Sequence, residues 1–396
     1  MTGGPVLVIN SGSSSLKYQL VTPDSADVLA SGLIEQIGEP SGRITHTTGS
    51  HSETEESPVV DHGAALSALR EQFDRHGPDL DEVGIAAVGH RVVHGGPDFS
   101  DPVIIDDAVL TEIEALSPLA PLHNPAAVAG IRAARARFAV PHVAVFDTAF
   151  FAGLPEAAKT YAIDRELAAE HKIRKYGFHG TSHEYVSHQA ATELGVPVED
   201  LNMVIFHLGN GASASAVQGG RAIETSMGLT PLQGLVMGTR SGDIDPSIYM
   251  FLHDVARLSV IEVDTVLNKQ SGVKGLCGDN DFRVIEQRID RGDPGARAAL
   301  AVYVHRLRHY LGAYAFALGR LDLVVFTAGV GENSSLVRAE ATRGLAHFGL
   351  ELDEDRNASR SKDSRIISTD ASPVTVMVVP TNEELAIARK AQNLVG

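Results

Sequence analysis

Residues Val6-Leu7-Val8-Ile9 are continuously apolar and run straight into Asn10-Ser11-Gly12-Ser13-Ser14-Ser15. Beyond Ser15 the apolar positions alternate: Leu16, Tyr18, Leu20. A short unbroken apolar run reads as a buried strand, and period two reads as a strand with one covered face. The opening segment therefore predicts a β-hairpin whose tip carries hydroxyls, an amide and one glycine. The same design recurs at Val204-Ile205-Phe206-His207-Leu208-Gly209-Asn210-Gly211 and at Val324-Val325-Phe326-Thr327-Ala328-Gly329-Val330-Gly331. In each, a glycine stands three positions after the last apolar residue of the run. The first two tips lie about half a chain apart, the spacing a duplicated domain would produce. Helices are predicted at Ala64–His76, Pro125–Phe138, His183–Leu194, Ala296–Leu318 and Glu383–Leu394. Their alternation with strands points to an α/β fold. Arg43 to Ser57 is polar without a helical period and reads as a surface hairpin or loop; Asp353 to Asp370 reads as exposed.

With 396 residues, two or three domains are expected. A formal net charge of −17 argues against a nucleic-acid partner, whose phosphate backbone demands a basic surface. It leaves room for a small polyanion, which needs only a few placed cations. The single cysteine, Cys277, cannot form an internal disulfide, so the reducing cytoplasm is the expected compartment. No basic segment followed by an apolar stretch opens the chain, so no signal peptide is expected. The most apolar long stretch, Ala298 to Leu318, contains His305, Arg306, Arg308 and His309; this suits a buried or interface helix, and no membrane partner is expected.

Tips of Gly, Ser and Asn are ordinary turns, but they also present backbone N–H groups that suit phosphate oxygens. Three of them in one chain favour a nucleotide. The GxxxxGK[ST] loop is absent, and Gly329-Val330-Gly331 lacks the third glycine of the dinucleotide fingerprint. In His183-Glu184-Tyr185-Val186-Ser187-His188 the second histidine falls one place too late for a helical zinc pair. Arg91 follows an apolar run inside Gly89-His90-Arg91-Val92-Val93-His94-Gly95-Gly96, and Arg240 sits between Gly238 and Gly242. Loop arginines are commonly solvated, but flanking glycines let a ligand approach closely. Asp147 ends an apolar strand, where α/β folds place their sites. His179 precedes a glycine at a helix start. Glu383 opens the last helix, where a carboxylate also simply complements the helix dipole.

The blocks NSGSSSLKYQL, HRVVHGG, FDTAFF, YGFHGTSH, HLGNGAS, ETSMGLTPLQGLVMGTRSGDIDP, FTAGVGENS and TNEELAIA stand in order from end to end. Together they closely resemble the acetokinase family of short-chain carboxylate kinases. The resemblance implies two duplicated α/β domains of the actin and sugar-kinase (ribonuclease H-like) kind with a nucleotide cleft between them. The expected boundaries are 1–151 plus a returning helix 385–396, and 152–384. It implies a homodimer, magnesium (or manganese), and reversible transfer between ATP plus acetate and ADP plus acetyl phosphate. Arg91 and Arg240 would flank the transferring phosphoryl and the substrate carboxylate, with His179 bonding the phosphoryl and Asp147 near the reacting groups. Phosphate and nucleotide contacts would come from Asn10, Ser13, Ser15 and Lys17 on the first tip, and from His207, Gly209, Asn210 and Gly211 on the second. Asp281, Phe282 and Arg283 would lie near the base, and Gly329, Gly331, Glu332 and Asn333 on the third tip. Asn10 and Glu383, with Asp147, would serve the metal. Val93, Leu122, Phe178 and Pro231, with Arg91, would form the pocket for the acetate methyl. The rival readings are a propionate or butyrate kinase with the same chemistry, and a non-catalytic module gated by nucleotide.

Overall fold

The computed structural model describes residues 3–396; Met1 and Thr2, the first residues of the expected N-terminal domain, lie outside the described residues. The chain divides into two compact units. One takes the chain up to Ala152 together with Asn382–Gly396, and the other is Gly153–Thr381. The second crossing falls three residues ahead of the expected one, which puts Glu383 in the first unit.

The first unit is built on strands β1 (Val6–Ser11), β2 (Ser15–Thr22), β3 (Asp27–Glu35), β4 (Gly42–Thr48), β5 (His51–Ser57), β6 (Ala87–Val92), β7 (Val103–Ile104) and β8 (His142–Phe146). They form one mixed sheet in the order β5-β4-β3-β2-β1-β6-β8-β7. β1 pairs antiparallel with β2 and parallel with β6. The expected hairpin is present: Gly12 N–H donates to Ser15 O at 2.8 Å, and Asn10 stands opposite Lys17. β1 is buried through Ile9 and emerges at Asn10. The polar tip is thus the part of a core strand that has left the core. Arg43 to Ser57 forms the β4–β5 hairpin, with β5 at the sheet edge.

Both faces of the central strands are covered, which is why β1 reads as an unbroken apolar run. Leu7 and Ile9 pack with Leu66, Leu69 and Phe73 of the helix His62–His76 and with Ala134 of the helix Asn124–Arg135. On the opposite face Val8 lies beside Gly89. A Cβ at Gly89 would stand 2.7 Å from Cγ2 of Ile387 on the helix Glu383–Val395. Glycine here lets that last helix lie directly on the sheet.

The second unit repeats the plan with β9 (Asn202–Leu208), β10 (Ala212–Gln218), β11 (Arg221–Thr225), β12 (Leu323–Thr327), β13 (Arg365–Ile366) and β14 (Thr375–Val378), ordered β11-β10-β9-β12-β14-β13. Three antiparallel strands followed by two parallel ones recur as β3-β2-β1-β6-β8 and β11-β10-β9-β12-β14. The duplication expected from the spacing of the tips is therefore present in the topology. The third tip departs from the first two. β12 leads into a helix, Ala328–Asn333, because its neighbour β14 is parallel and a parallel pair requires a crossover. All five expected helices are present with ends shifted by a few residues, the longest being Pro294–Leu318. The stretch 353–370, expected to be exposed, instead contains a short helix Glu354–Ala358 and buries Asn357, Ile367 and Ser368. Among the described residues no helix is long and apolar enough to cross a membrane.

Candidate active site

In the first unit three elements deliver charge to one place. Arg91 stands near the end of β6, Asp147 directly after β8, and Glu383 opens the last helix. Arg91 donates twice to Asp147, Nε to Oδ1 at 3.0 Å and Nη2 to Oδ2 at 2.7 Å. This is the fork geometry that only arginine supplies. The Asp147 carboxylate is 1% exposed, and its own N–H is tied to Val92 O at 3.0 Å. Glu383 Oε2 lies 3.8 Å from Arg91 Nε. Burial works against the Arg91 charge, but Asp147, Glu383 and Glu384 outweigh it and hold the guanidinium firmly protonated. Burial raises the Glu383 pKa; Arg91 lowers it, and the repulsion of Asp147 and Glu384 adds to the rise. Lys17, expected on the first tip, is ion-paired with Glu384, a residue the sequence reading passed over. Ser13 is exposed, and Asn10 and Ser15 are half-buried on the same hairpin.

Asp147 has both oxygens committed to Arg91, so it serves chiefly as the guanidinium's anchor. Glu383 is the carboxylate with coordination to spare. A carboxylate oxygen is a hard donor of the kind magnesium prefers.

In the second unit the focus is Gly211. A methyl at that position would lie 3.4 Å from Arg240 Nη1 and 3.5 Å from His179 Cε1. Arg240 and His179 thus flank the glycine of the β9–β10 hairpin. Arg240 donates from Nη1 to Pro231 O at 3.3 Å, and burial lowers its pKa. Among the described residues it has no ion pair with a carboxylate. An arginine does not deprotonate in proteins, so this is a half-buried cation without a counter-charge. The loop that carries it is pinned from both sides. Gly234 N–H and Tyr310 Oη donate to the carboxylate of Asp243, at 2.9 and 2.6 Å. Gly272 is left-handed, and its missing Cβ would meet Met237 O at 2.2 Å.

His179 holds a left-handed backbone, φ 60° and ψ 24°, sparsely populated by non-glycine residues. It stands at the start of the helix Gly180–Leu194 and is held by a chain of buried groups. Ser213 Oγ bridges His179 Nδ1 (2.9 Å) and His183 Nε2 (2.7 Å), and Ser215 Oγ meets His183 Nδ1 at 2.8 Å. Burial and the neighbouring His207 push the His183 pKa well down, so this ring is neutral. The His207 ring stacks on His179 at 4.3 Å between centroids. Ser182 donates to Thr381 at 2.8 Å, and so accepts from Nδ1 of His207, also at 2.8 Å. His183, Ser213 and Ser215 were missed from sequence. Their signal was present: His179 and His183 are four apart at a helix start, and Ser213 and Ser215 share one face of β10.

The remaining expected residues fall differently. Gly209 N–H donates to Gly211 O at 3.0 Å, closing the second tip, and Asn210 Oδ1 accepts from Asn280 at 2.8 Å. Arg283 clamps Asp281, which caps the helix Phe282–Asp290. Phe282 is packed into the core against Tyr303, centroids 4.8 Å apart; an apolar ring on an amphipathic helix is taken up by the core. On the third tip Glu332 accepts from Thr381 N–H at 3.3 Å, and Asn333 donates to Gly329 O at 2.8 Å. Gly331 is buried, and a Cβ at Gly329 would meet open space. This turn is held by Arg338, another residue missed from sequence. It is 1% exposed, is pushed down to about 10 chiefly by burial, and donates to Gly331 O (2.9 Å), Glu332 O (3.0 Å) and Asn357. Of the expected methyl pocket, Phe178 is buried, Val93 and Pro231 are half-buried, and Leu122 is 56% exposed. Val93 and Leu122 belong to the first unit, Phe178 and Pro231 to the second.

The fold and these loops define an α/β protein with two sets of groups suited to anions. The family model described as the acetokinase family matches residues 5–389. An acetate kinase of Clavibacter michiganensis subsp. michiganensis is 56% identical over 387 residues, covering 98% of each chain. One of Streptomyces avermitilis is 56% identical over 394 residues, covering 99% of this chain and 97% of its own. Among solved structures, Porphyromonas gingivalis acetate kinase superposes with a TM-score of 0.95 at 40% identity, covering 100% of both chains. A propionate kinase from Francisella tularensis subsp. tularensis SCHU S4 gives 0.93 at 42% identity, covering 98% of this chain and 99% of its own. This chain belongs to the acetokinase family.

Because Arg240 carries an uncompensated charge, Arg240→Ala is expected to lower turnover by about a thousandfold, the usual weight of an arginine at a phosphoryl transition state. Its melting temperature should be unchanged or raised. Arg240→Lys should recover only part of the rate, since a point charge replaces a planar fork. Near-normal turnover of the alanine variant would remove Arg240 from the site.

Proposed function

We propose that this chain catalyses reversible transfer of the γ-phosphoryl group of ATP to acetate, giving acetyl phosphate and ADP. The observation that carries the reading is the pair of contrasting arginines: Arg91 anchored by Asp147, and Arg240 half-buried without a carboxylate. A carboxylate oxygen attacks the γ-phosphorus, the bond from phosphorus to the β–γ bridging oxygen breaks, and ADP leaves with those electrons. Acetate is already ionised at neutral pH, so no proton has to be removed. The obstacle is charge: two anions about 4 Å apart at an effective dielectric near 20 repel by roughly 4 kcal/mol. A guanidinium beside the phosphoryl offsets that repulsion without covalent chemistry.

His179 would donate from Nε2 to a phosphoryl oxygen. The buried chain supports this tautomer when Ser215 donates to His183 Nδ1, His183 Nε2 donates to Ser213, and Ser213 donates to His179 Nδ1. Ser213 then accepts one bond and donates another, and the neutral His183 ring carries its single proton on Nε2. Asn10 and Glu383 would hold a divalent cation such as magnesium, with Asp147 reaching it through water, and the ion would supply charge neutralisation at the phosphates. The third loop, from Gly329 to Asn333, would approach the nucleoside, and the apolar side chains Phe178 and Pro231 would face the methyl group. Ile248, Met250, Phe251, Val260, Ile261 and Phe316, all exposed apolar side chains of the second unit, support a homodimer; a monomer in sedimentation velocity would contradict it. The lone, half-buried Cys277 fits a cytoplasmic setting.

Trapping the product with hydroxylamine tests the reaction directly. Acetohydroxamate should form with ATP and acetate, whereas ATP hydrolysis without acyl phosphate would favour a nucleotide-gated binding module. One methylene in an apolar pocket is worth about 1–3 kcal/mol. A kcat/KM comparison should therefore favour acetate over propionate, and the reverse order would assign the longer acid.

The metal reading has its own test. The Glu383 pKa is raised, so a proton competes with the metal at higher pH than at an ordinary glutamate. Apparent magnesium affinity should weaken as pH falls from neutrality toward this raised value. Glu383→Gln should weaken it at all pH values and flatten the dependence. An unchanged titration would return Glu383 to a helix-start role.

A further inference from the structure

The edge strand β5 and the end of the helix His62–His76 bring together three groups that the phosphoryl chemistry does not use. His51 and Glu53 are two apart on β5 and so share one face. His76 is the last residue of the helix. Glu53 lies between them: His51 Nε2 is 3.2 Å from Oε1, and His76 Nε2 is 3.1 Å from Oε2. The three ligand atoms lie within 4.8 Å of one another. In a tetrahedral site with bonds of about 2.0–2.1 Å, neighbouring ligand atoms stand about 3.4 Å apart. Each separation is close to such an edge; because the two rings face different oxygens of Glu53, a small turn of the carboxylate is needed to present one ligand atom to both.

We propose that His51, Glu53 and His76 form a site for a first-row transition-metal dication, with zinc as the type case. The donor set decides the class. Two imidazoles with one carboxylate suit zinc, cobalt or nickel, whereas magnesium prefers oxygen alone. The site is thus chemically distinct from the oxygen donors around Glu383. Its surroundings also fit. The neighbouring Arg75 is drawn off by Glu55 (3.1 Å) and Glu71 (3.2 Å). His46, whose ring centroid is 6.2 Å from that of His76, is committed to Tyr18 Oη at 2.7 Å and to Thr48 and Gly77 O. It backs the site without competing for the ion. Three protein ligands leave a fourth position for water, so the ion would exchange with solvent. Bound there, it would fasten an edge strand, otherwise presenting unpaired backbone groups, to the helix behind it.

The experiment uses the full-length chain without a histidine tag, stripped with chelator and held in saturating magnesium so that oxygen-donor sites are filled. Zinc titration by calorimetry should show one ion per chain. His51→Ala/His76→Ala should lower zinc affinity by more than the roughly tenfold lost when only outer partners of a metal site are removed. Cobalt(II) should give visible d–d absorption in the native protein and lose it in the double variant. Both residues are remote from the groups assigned to the reaction, so acyl phosphate formation by the double variant should be unchanged and certify its fold. Equal zinc affinity in the two proteins, or no zinc bound by the native chain, would overturn the proposal.

Discussion

A guanidinium held partly out of water without a carboxylate is a standing cost to the fold, because desolvation of a charge is repaid only by a partner. Arg240 is such a group. Its nearest recorded acceptors are a backbone carbonyl and, at 3.8 Å, the sulfur of Met237. The loop around it is therefore over-determined: Asp243 fastens one side, the backbone at 271–274 fastens the other, and glycines with no room for a Cβ fill the gaps. Relaxation into water would be the cheaper arrangement for an isolated loop. An anionic partner supplies what the protein withholds, and the chemistry proposed here follows from that constraint.

Arg91 solves a different problem. Its charge is balanced before any substrate arrives, by Asp147 through two bonds and by Glu383 more distantly. The balance fixes the planar fork in orientation, since strand ends and a helix start allow little movement. A residue that must contact two anions in sequence gains from such pre-orientation, and arginine can satisfy one carboxylate while presenting its remaining N–H groups elsewhere. The cluster exists because the last helix lies on the sheet at Gly89, bringing Glu383 to residues nearly three hundred positions earlier.

The two hairpin tips show how one supersecondary unit is reused. Each lets a core strand emerge as polar, glycine-bearing backbone, but they are equipped differently. The first meets Lys17 and the carboxylates of the last helix. The second meets stacked histidines, two buried serines and Arg240. The third loop resembles them in sequence but turns into a helix, and is braced by Arg338 against its carbonyl groups.

Strand and helix positions and the duplicated plan were legible in the sequence, because hydrophobic period and glycine placement act over a few neighbours; Arg91, Asp147, His179, Arg240 and Glu383 stood out there as candidates. The partnerships were not. Nothing local distinguishes Asp147, which clamps Arg91, from a strand-end carboxylate in water, or Phe282, sunk against Tyr303, from an exposed ring on the same helix. That Lys17 finds Glu384, that His183 reaches His179 through Ser213, and that His51 and His76 meet over Glu53 depend on which elements pack together. Only the tertiary structure decides this, because direction and distance between side chains far apart in sequence are set by the fold as a whole.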